Sequence, residues 1–177
     1  FMKAGLFFTE HITTVSPSYA LEIQTDELGF GLQGLLKHRR KSLTGILNGI
    51  DMAEWNPAAD ACLKHAYDAE DLSGKAANKR ELQISLGLQT DADIPLIGLV
   101  SRFAHQKGVD LVLEVAQELI ALPAQLVFLG SGDAEMQRAA LALAHQHSGK
   151  IAAYIGFDEG LSHLIEAGAD IFLMPSR

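Results

Sequence analysis

From about residue 95 onward, short apolar runs alternate with amphipathic stretches, and this alternation restricts the fold more than any other feature of the chain. Residues 95–100 (PLIGLV), 125–129 (QLVFL), 151–155 (IAAYI) and 170–174 (DIFLM) read as buried strands. Between them, 108–121 (GVDLVLEVAQELIA), 134–147 and 159–167 carry apolar residues at helical spacing. Four strands separated by three helices form the pattern of a parallel α/β sheet. Crossovers in such sheets are right-handed, and ligands sit at the carboxyl ends of the strands. The loops to inspect are therefore 101–107, 130–133, 156–158 and the segment after Ser176.

Two further zones precede this one. Residues 1–41 contain an apolar helical run over 1–8, a short β-branched strand over 11–16 and a helix start at Pro17. They close on the basic run 37–41, which reads as a solvated helix end because cations suit the negative end of the helix dipole. In 43–57 (LTGILNGIDMAEWNP) an apolar strand breaks at Asn48-Gly49, a pair that favours a turn with positive φ. The segment suits either a connection between domains or a plain surface turn. A helix is expected over 75–86.

At 177 residues the chain holds one full domain, or one domain with the remnant of another. With 48% hydrophobic and 20% charged residues it reads as an ordinary soluble globular protein. No segment approaches the roughly 20 apolar residues that span a bilayer, so no membrane partner is expected. A formal net charge of -8 argues against a general nucleic-acid binder, which needs a cationic surface to displace counterions. The single cysteine, Cys62, excludes an internal disulfide framework and fits a reducing cytosol. Both ends read as cut, since Phe1 opens a helical run without a cap and the chain stops directly after a strand.

Three loops carry candidate chemistry. In Ser101-Arg102-Phe103-Ala104-His105-Gln106-Lys107-Gly108, two cations stand on one short loop. Arg102 offers a planar fork for two phosphate oxygens and Lys107 a mobile point charge, so together they can hold a diphosphate and stabilise charge growing on it as it leaves. The alternative is two merely exposed cations. Gly130-Ser131-Gly132-Asp133 lets backbone amides approach a ligand at a helix start, or is a structural turn capped by Asp133. Glu135 stands where a dinucleotide fingerprint needs its third glycine, and no P-loop lysine follows, so neither nicotinamide nor ATP-hydrolase chemistry is supported. In Gly156-Phe157-Asp158-Glu159 an aromatic beside a glycine can stack on a base, although a buried core Phe is the simpler account. Asp91-Ala92-Asp93 resembles a metal-binding carboxylate pair but precedes a strand, at the end away from the expected site. His145 and His147 lack a third ligand nearby, so no metal site is expected.

The stretches KAGLFFTEHITTVSPSYALEI, GILNGIDMAEWNP, NKRELQISLGL, LVSRFAHQKGVDLVLE, LGSGD and IGFDEGLSHLIEAGADIFLMPSR, in unbroken order, resemble bacterial glycogen synthases and plant starch synthases across the whole chain. The resemblance implies two facing Rossmann-like domains, the GT-B arrangement. On that reading 1–41 is the end of the N-terminal domain, 42–57 the interdomain crossing, and 58–177 the first part of the C-terminal, nucleotide-sugar-binding domain. It implies a cytoplasmic enzyme transferring glucose from ADP-glucose to the non-reducing end of an α-1,4-glucan, with retention and without a metal or other cofactor. Arg102 and Lys107 resemble the family's diphosphate pair, and Asn48 the asparagine near the donor sugar. Phe157 falls where tyrosine is common beside the adenine, and Asp158 where histidine is often seen. Gly130, Gly132 and Gly156 fall in the donor-binding loops.

In the family the MPSR segment runs on into a Phe-Glu-Pro-Cys-Gly-Leu motif whose glutamate lies at the reacting sugar. That motif, the N-terminal donor loop, the acceptor surface and the catalytic histidine are not among these residues, so the chain alone is expected to be inactive. A free-standing nucleotide-binding or regulatory module of the same fold is the alternative. A sugar-nucleotide epimerase of this architecture would leave TVSPSYA and LNGID unexplained.

Overall fold

The computed structural model describes residues 1–177 and divides into two units, Phe1–Asp51 and Met52–Arg177. The first contains α1 (Met2–Phe8), β1 (Ile12–Thr14), α2 (Pro17–Glu22), α3 (Gln33–His38) and β2 (Leu43–Gly45). β1 and β2 pair in parallel with Ile12 opposite Leu43. α2 starts where the sequence places it: Pro17 takes the first helical position, and Ser16 Oγ accepts from the Tyr19 amide at 2.9 Å.

Two expectations for this unit are corrected. Lys37 and His38 do end α3, but the next residue of the basic run is not merely solvated. Arg39 donates to four carbonyls at the end of α1, the nearest being Phe7 O and Thr9 O at 2.5 Å. A guanidinium there satisfies carbonyls that α1 leaves open, at the negative end of its dipole. Asn48-Gly49 forms no positive-φ turn; after the Ile46 amide bonds Thr14 O at 2.8 Å, the backbone of 46–51 is irregular. β2 ends at Gly45 and no strand follows directly, so Asn48-Gly49 joins no hairpin that would require a tight positive-φ turn.

The second unit runs α4 (Ser73–Ser85), β3 (Leu96–Val100), α5 (Val109–Glu114), α6 (Ala116–Ala121), β4 (Gln125–Gly130), α7 (Ala134–Gln146), β5 (Ile151–Ile155), α8 (Glu159–Gly168) and β6 (Ile171–Phe172). All strand pairs are parallel, in the order β5-β4-β3-β6. Every residue of β4 is buried, which explains its continuous apolar run. Alternate residues feed two cores. Ile97, Leu99, Leu126 and Phe128 pack with Val109, Val112 and Ala140, while Leu96, Val127 and Leu129 pack with Leu82 and Ile165. Full burial of side chains such as Phe128 and Leu99 stabilises the fold by roughly 1.5–3 kcal/mol each, so these two layers dominate the energetics.

The expected single helix over 108–121 is two helices. Val115 takes φ −94°, ψ 5°, and the Glu118 amide bonds Val115 O three residues back. β-branched Val109, Val112 and Val115 recur along this stretch and weaken its helical preference. The last strand is also shorter than expected: β6 has two residues, both exposed, because it lies at the sheet edge.

Polar side chains pin α4 to the amino ends of the strands. Gln83 Nε2 donates to Gln125 Oε1 at 2.9 Å, Gln125 Nε2 donates to Gln89 O at 2.6 Å, and both side chains are buried. Lys79 Nζ reaches Asp170 Oδ2 at 2.7 Å and Ala92 O at 2.8 Å, while the same Asp170 oxygen accepts the Leu96 amide. The Asp91–Asp93 loop thus belongs to a structural network at the end of β3 opposite the loops of interest. Replacing Gln125 with Ala leaves Gln83 Nε2 without this partner, and is expected to lower unfolding free energy by about 1–3 kcal/mol. Gln146→Ala, an exposed control on α7, should stay within about 0.5 kcal/mol; urea denaturation of both variants measures the difference.

Candidate functional site

β3 is bonded to β4 on one side and β6 on the other, so the chain reverses its direction of winding at β3. In an open parallel sheet the crevice at the carboxyl ends beside such a reversal is where ligands bind. A cavity of about 360 Å³ opens there, lined by Ser101 and Arg102 after β3, Gly130 and Ser131 after β4, and Gly156 and Phe157 after β5. Trp55, Ser162 and Glu166 complete its wall. Its size falls within the roughly 300–1,000 Å³ of small-ligand pockets. A wider depression of about 600 Å³ lies beside α4 around Lys64, Arg80 and Glu81, but it lacks converging loop ends.

The first two loops are held together by backbone. The Phe103 amide bonds Ser131 O at 2.9 Å and the Asp133 amide bonds Phe103 O at 2.7 Å, while the Phe103 ring is buried edge-on to Phe128. A Cβ on Gly130 would lie 1.8 Å from Ser101 O, at a φ of +155°. One on Gly132 would lie 2.2 Å from Phe103 O. These glycines are thus required by the neighbouring strand-end loop. Asp133 accepts the Glu135 and Met136 amides and caps α7, as its position in the sequence implies.

Arg102 is exposed, lines the cavity and has no ion pair or side-chain hydrogen bond. Lys107 ends a single 3-10 turn, His105–Lys107, and is half-buried without a side-chain partner; it does not line the cavity. Phe157 is 87% exposed, so the buried-core account of this aromatic is wrong. Its ring stands at the cavity with a free face, and Asp158 behind it caps α8 by accepting the Leu161 amide at 2.8 Å. The structure therefore brings Arg102, Gly130, Gly156 and Phe157 around one cavity, with Lys107 and Gly132 on adjoining backbone. Asn48 belongs to the first unit, where it is exposed.

The wall opposite the loops was not visible in the sequence. Trp55 stacks on buried His163 at 3.9 Å with planes 11° apart, and His163 Nδ1 donates to Asp60 Oδ2 at 2.6 Å. Burial by itself raises the Asp60 pKa, but the bonds from His163 and the Cys62 amide outweigh it and hold the carboxyl below its usual range. The Glu166 carboxyl is pushed up by burial; the His163 side chain opposes that shift and Asp60 reinforces it. The Asp60–His163 pair spans 103 residues, so no local spacing announces it.

Asp60, Cys62 and His163 have ligating atoms within 4.8 Å of one another, as do Glu54, Glu159 and His163. In the first group Nδ1 is engaged by Asp60. The Cys62 thiol is pushed up by desolvation and then by the Asp60, Glu159 and Glu54 carboxylates, which disfavours the thiolate a metal needs. The cluster reads as the tether that holds 55–62 against α8.

The family model described as Starch synthase catalytic domain matches residues 1–38, and the model described as Glycosyl transferases group 1 matches residues 83–177. The chain is 58% identical over 177 residues to a glycogen synthase of Nitrosomonas eutropha and 55% identical over 177 residues to one of Nitrosospira multiformis. Each alignment covers 100% of this chain but only 35% and 36% of the respective relative. Among solved structures, the catalytic domain of starch synthase IV from Arabidopsis thaliana bound to ADP and acarbose matches with a TM-score of 0.93 and 40% identity. That match covers 99% of this chain and 36% of the neighbour. A parallel sheet that reverses at β3, loop ends that converge on one cavity, and a family match that spans all four strands of that sheet lead to one assignment: the chain belongs to the glycosyl transferases group 1 family, as a segment resembling glycogen and starch synthases.

Proposed function

We propose that the chain forms the nucleotide-sugar side of a longer glucosyltransferase that moves glucose from ADP-glucose to the non-reducing end of an α-1,4-glucan with retention. The observation that carries the reading is the 40% identity over 99% of the chain to a starch synthase catalytic domain bound to ADP, together with a cavity at the carboxyl ends of β3, β4 and β5. In this reading residues 1–41 end the preceding domain, 42–57 cross between domains, and 58–177 begin the donor domain. Asn48 would then approach the donor sugar. ADP-glucose is the substrate and no cofactor takes part. No helix is long and apolar enough to cross a membrane, and the proposed place of action is the cytoplasm.

Each residue has a physical role. As the bond between the anomeric carbon and the diphosphate breaks, negative charge grows on the diphosphate oxygens. Arg102, unpaired at the cavity, supplies a planar fork for two of them, and the Lys107 ammonium adds a point charge. Both act more strongly on the departing diphosphate than on the bound donor, which lowers the barrier. The free face of Phe157 offers stacking to the adenine; Gly130 and Gly156 leave backbone uncovered at the cavity, and Gly132 lets the loop after β4 lie against Phe103.

In the full-length enzyme, Arg102→Ala or Lys107→Ala is expected to lower turnover about a hundredfold or more, read from ADP release and glucan growth. Near wild-type turnover from both variants would overturn the diphosphate assignment. Phe157→Ala should weaken ADP binding about tenfold by calorimetry, in line with stacking energies of about 1–3 kcal/mol, and Phe157→Tyr should preserve it. Unchanged affinity in the Ala variant would contradict base stacking there. The 177-residue chain by itself is expected to make no glucan and to bind ADP weakly; tight binding would show that these residues complete the nucleotide site.

A further inference from the structure

The segment that follows β6 folds back over the loop that follows β3. The Leu173 amide bonds Gly98 O at 2.8 Å, and Pro175 O then lies 2.1 Å from where a Cβ on Gly108 would stand. Gly108 has φ +67°, so a side chain there is excluded both by conformation and by contact. Beyond Pro175 the Arg177 amide donates to Gln106 O at 3.0 Å, and Arg177 Nη1 donates to His105 O at 2.6 Å. The guanidinium also meets Asp110 of α5 through two parallel bonds, Nη1 to Oδ1 at 2.9 Å and Nη2 to Oδ2 at 2.8 Å. His105 Nδ1 lies 2.9 Å from the same Oδ2.

These contacts surround the 3-10 turn His105–Lys107 at a place where apolar packing does not act. Phe103 before the turn and Val109 after it are fully buried, but the turn buries no side chain of its own. Its position is therefore set by what bonds its backbone, and the carbonyls of His105 and Gln106 are both taken by Arg177. Arg177 is fixed in turn by the two-pronged pair with Asp110, whose side chain is 22% exposed. The hydrogen bond from Arg177 holds the Asp110 carboxyl far below its usual range; partial desolvation opposes this, and the Arg177 and His105 charges reinforce it. Lys107 makes no side-chain bond, so its direction follows from the turn.

We infer that Asp110 and Arg177 are positioning residues: they clamp the turn so that Lys107 is presented to the diphosphate, and they tie the segment after β6 to the same ligand-facing loop. The inference rests on the proposed diphosphate role of Lys107. It adds that this lysine is effective only while an ion pair outside the cavity is intact. Asp110 itself touches no substrate in this arrangement.

The test is a double-mutant cycle on turnover in the full-length enzyme, using Asp110→Asn, Lys107→Ala and the two combined, with Arg177→Lys as a second way of opening the clamp. Asp110→Asn is expected to lower kcat about tenfold, and Arg177→Lys similarly, because an ammonium cannot form the two parallel bonds. Added to Lys107→Ala, Asp110→Asn should cost less than about twofold more, because both changes act on one group. A merely structural role would multiply the two losses, and that result overturns the clamp. So does wild-type kcat in both Asp110→Asn and Arg177→Lys when Lys107→Ala is impaired. Wild-type kcat in Lys107→Ala would instead overturn the proposed role of Lys107, and the clamp's purpose with it. If Asp110→Asn fails to fold, Arg177→Lys and its combination with Lys107→Ala complete the same cycle.

Discussion

The central strand β3 is hydrogen-bonded on both edges and packed on both faces. Its neighbours β4 and β6 fix its register, while Leu99 is enclosed on one face and Leu96 on the other. A strand so confined has no freedom to slip, since a shift of one residue would exchange the two faces. The placement of the loop ends at the cavity follows from this constraint. The loop after β3 emerges between the ends of its neighbours. Parallel pairing then brings the ends of β4 and β5 to the same side of the sheet.

Local close packing converts that placement into a shaped site. Gly130 and Gly132 let the loop after β4 lie directly against Ser101 and Phe103. The buried Phe103 ring anchors the start of the first loop and Val109 anchors its end. Arg102 and Lys107 are carried between or beside these anchors, with their charges uncommitted. The contrast with Arg39 is instructive. That arginine spends its donors on the carbonyls at the end of α1 and is structural, whereas Arg102 keeps its donors available at a cavity. Residue type alone does not separate the two.

The parallel sheet was legible in the sequence because strands buried on both faces leave continuous apolar runs, as β4 does over Gln125–Gly130. Local signals were legible as well, as with Asp133 capping α7 and Pro17 opening α2. Features set by distant partners were not legible. The stack of Trp55 on His163 and the Asp60–His163 pair join residues about a hundred positions apart, and no periodicity records them. Phe157 looked like core because an aromatic beside a strand usually is; only the path of its loop leaves the ring exposed. The helix over 108–121 divides at Val115, where three β-branched residues recur, a weakness that a hydrophobic periodicity does not register.

In the proposed function, the cavity at the ends of β3, β4 and β5 receives a nucleoside diphosphate. A crystal structure of the full-length enzyme with ADP tests it most directly. The diphosphate is predicted to contact Arg102 and Lys107, with the base against the exposed face of Phe157. ADP bound elsewhere, or bound in this cavity with the diphosphate turned away from both cations, would contradict it.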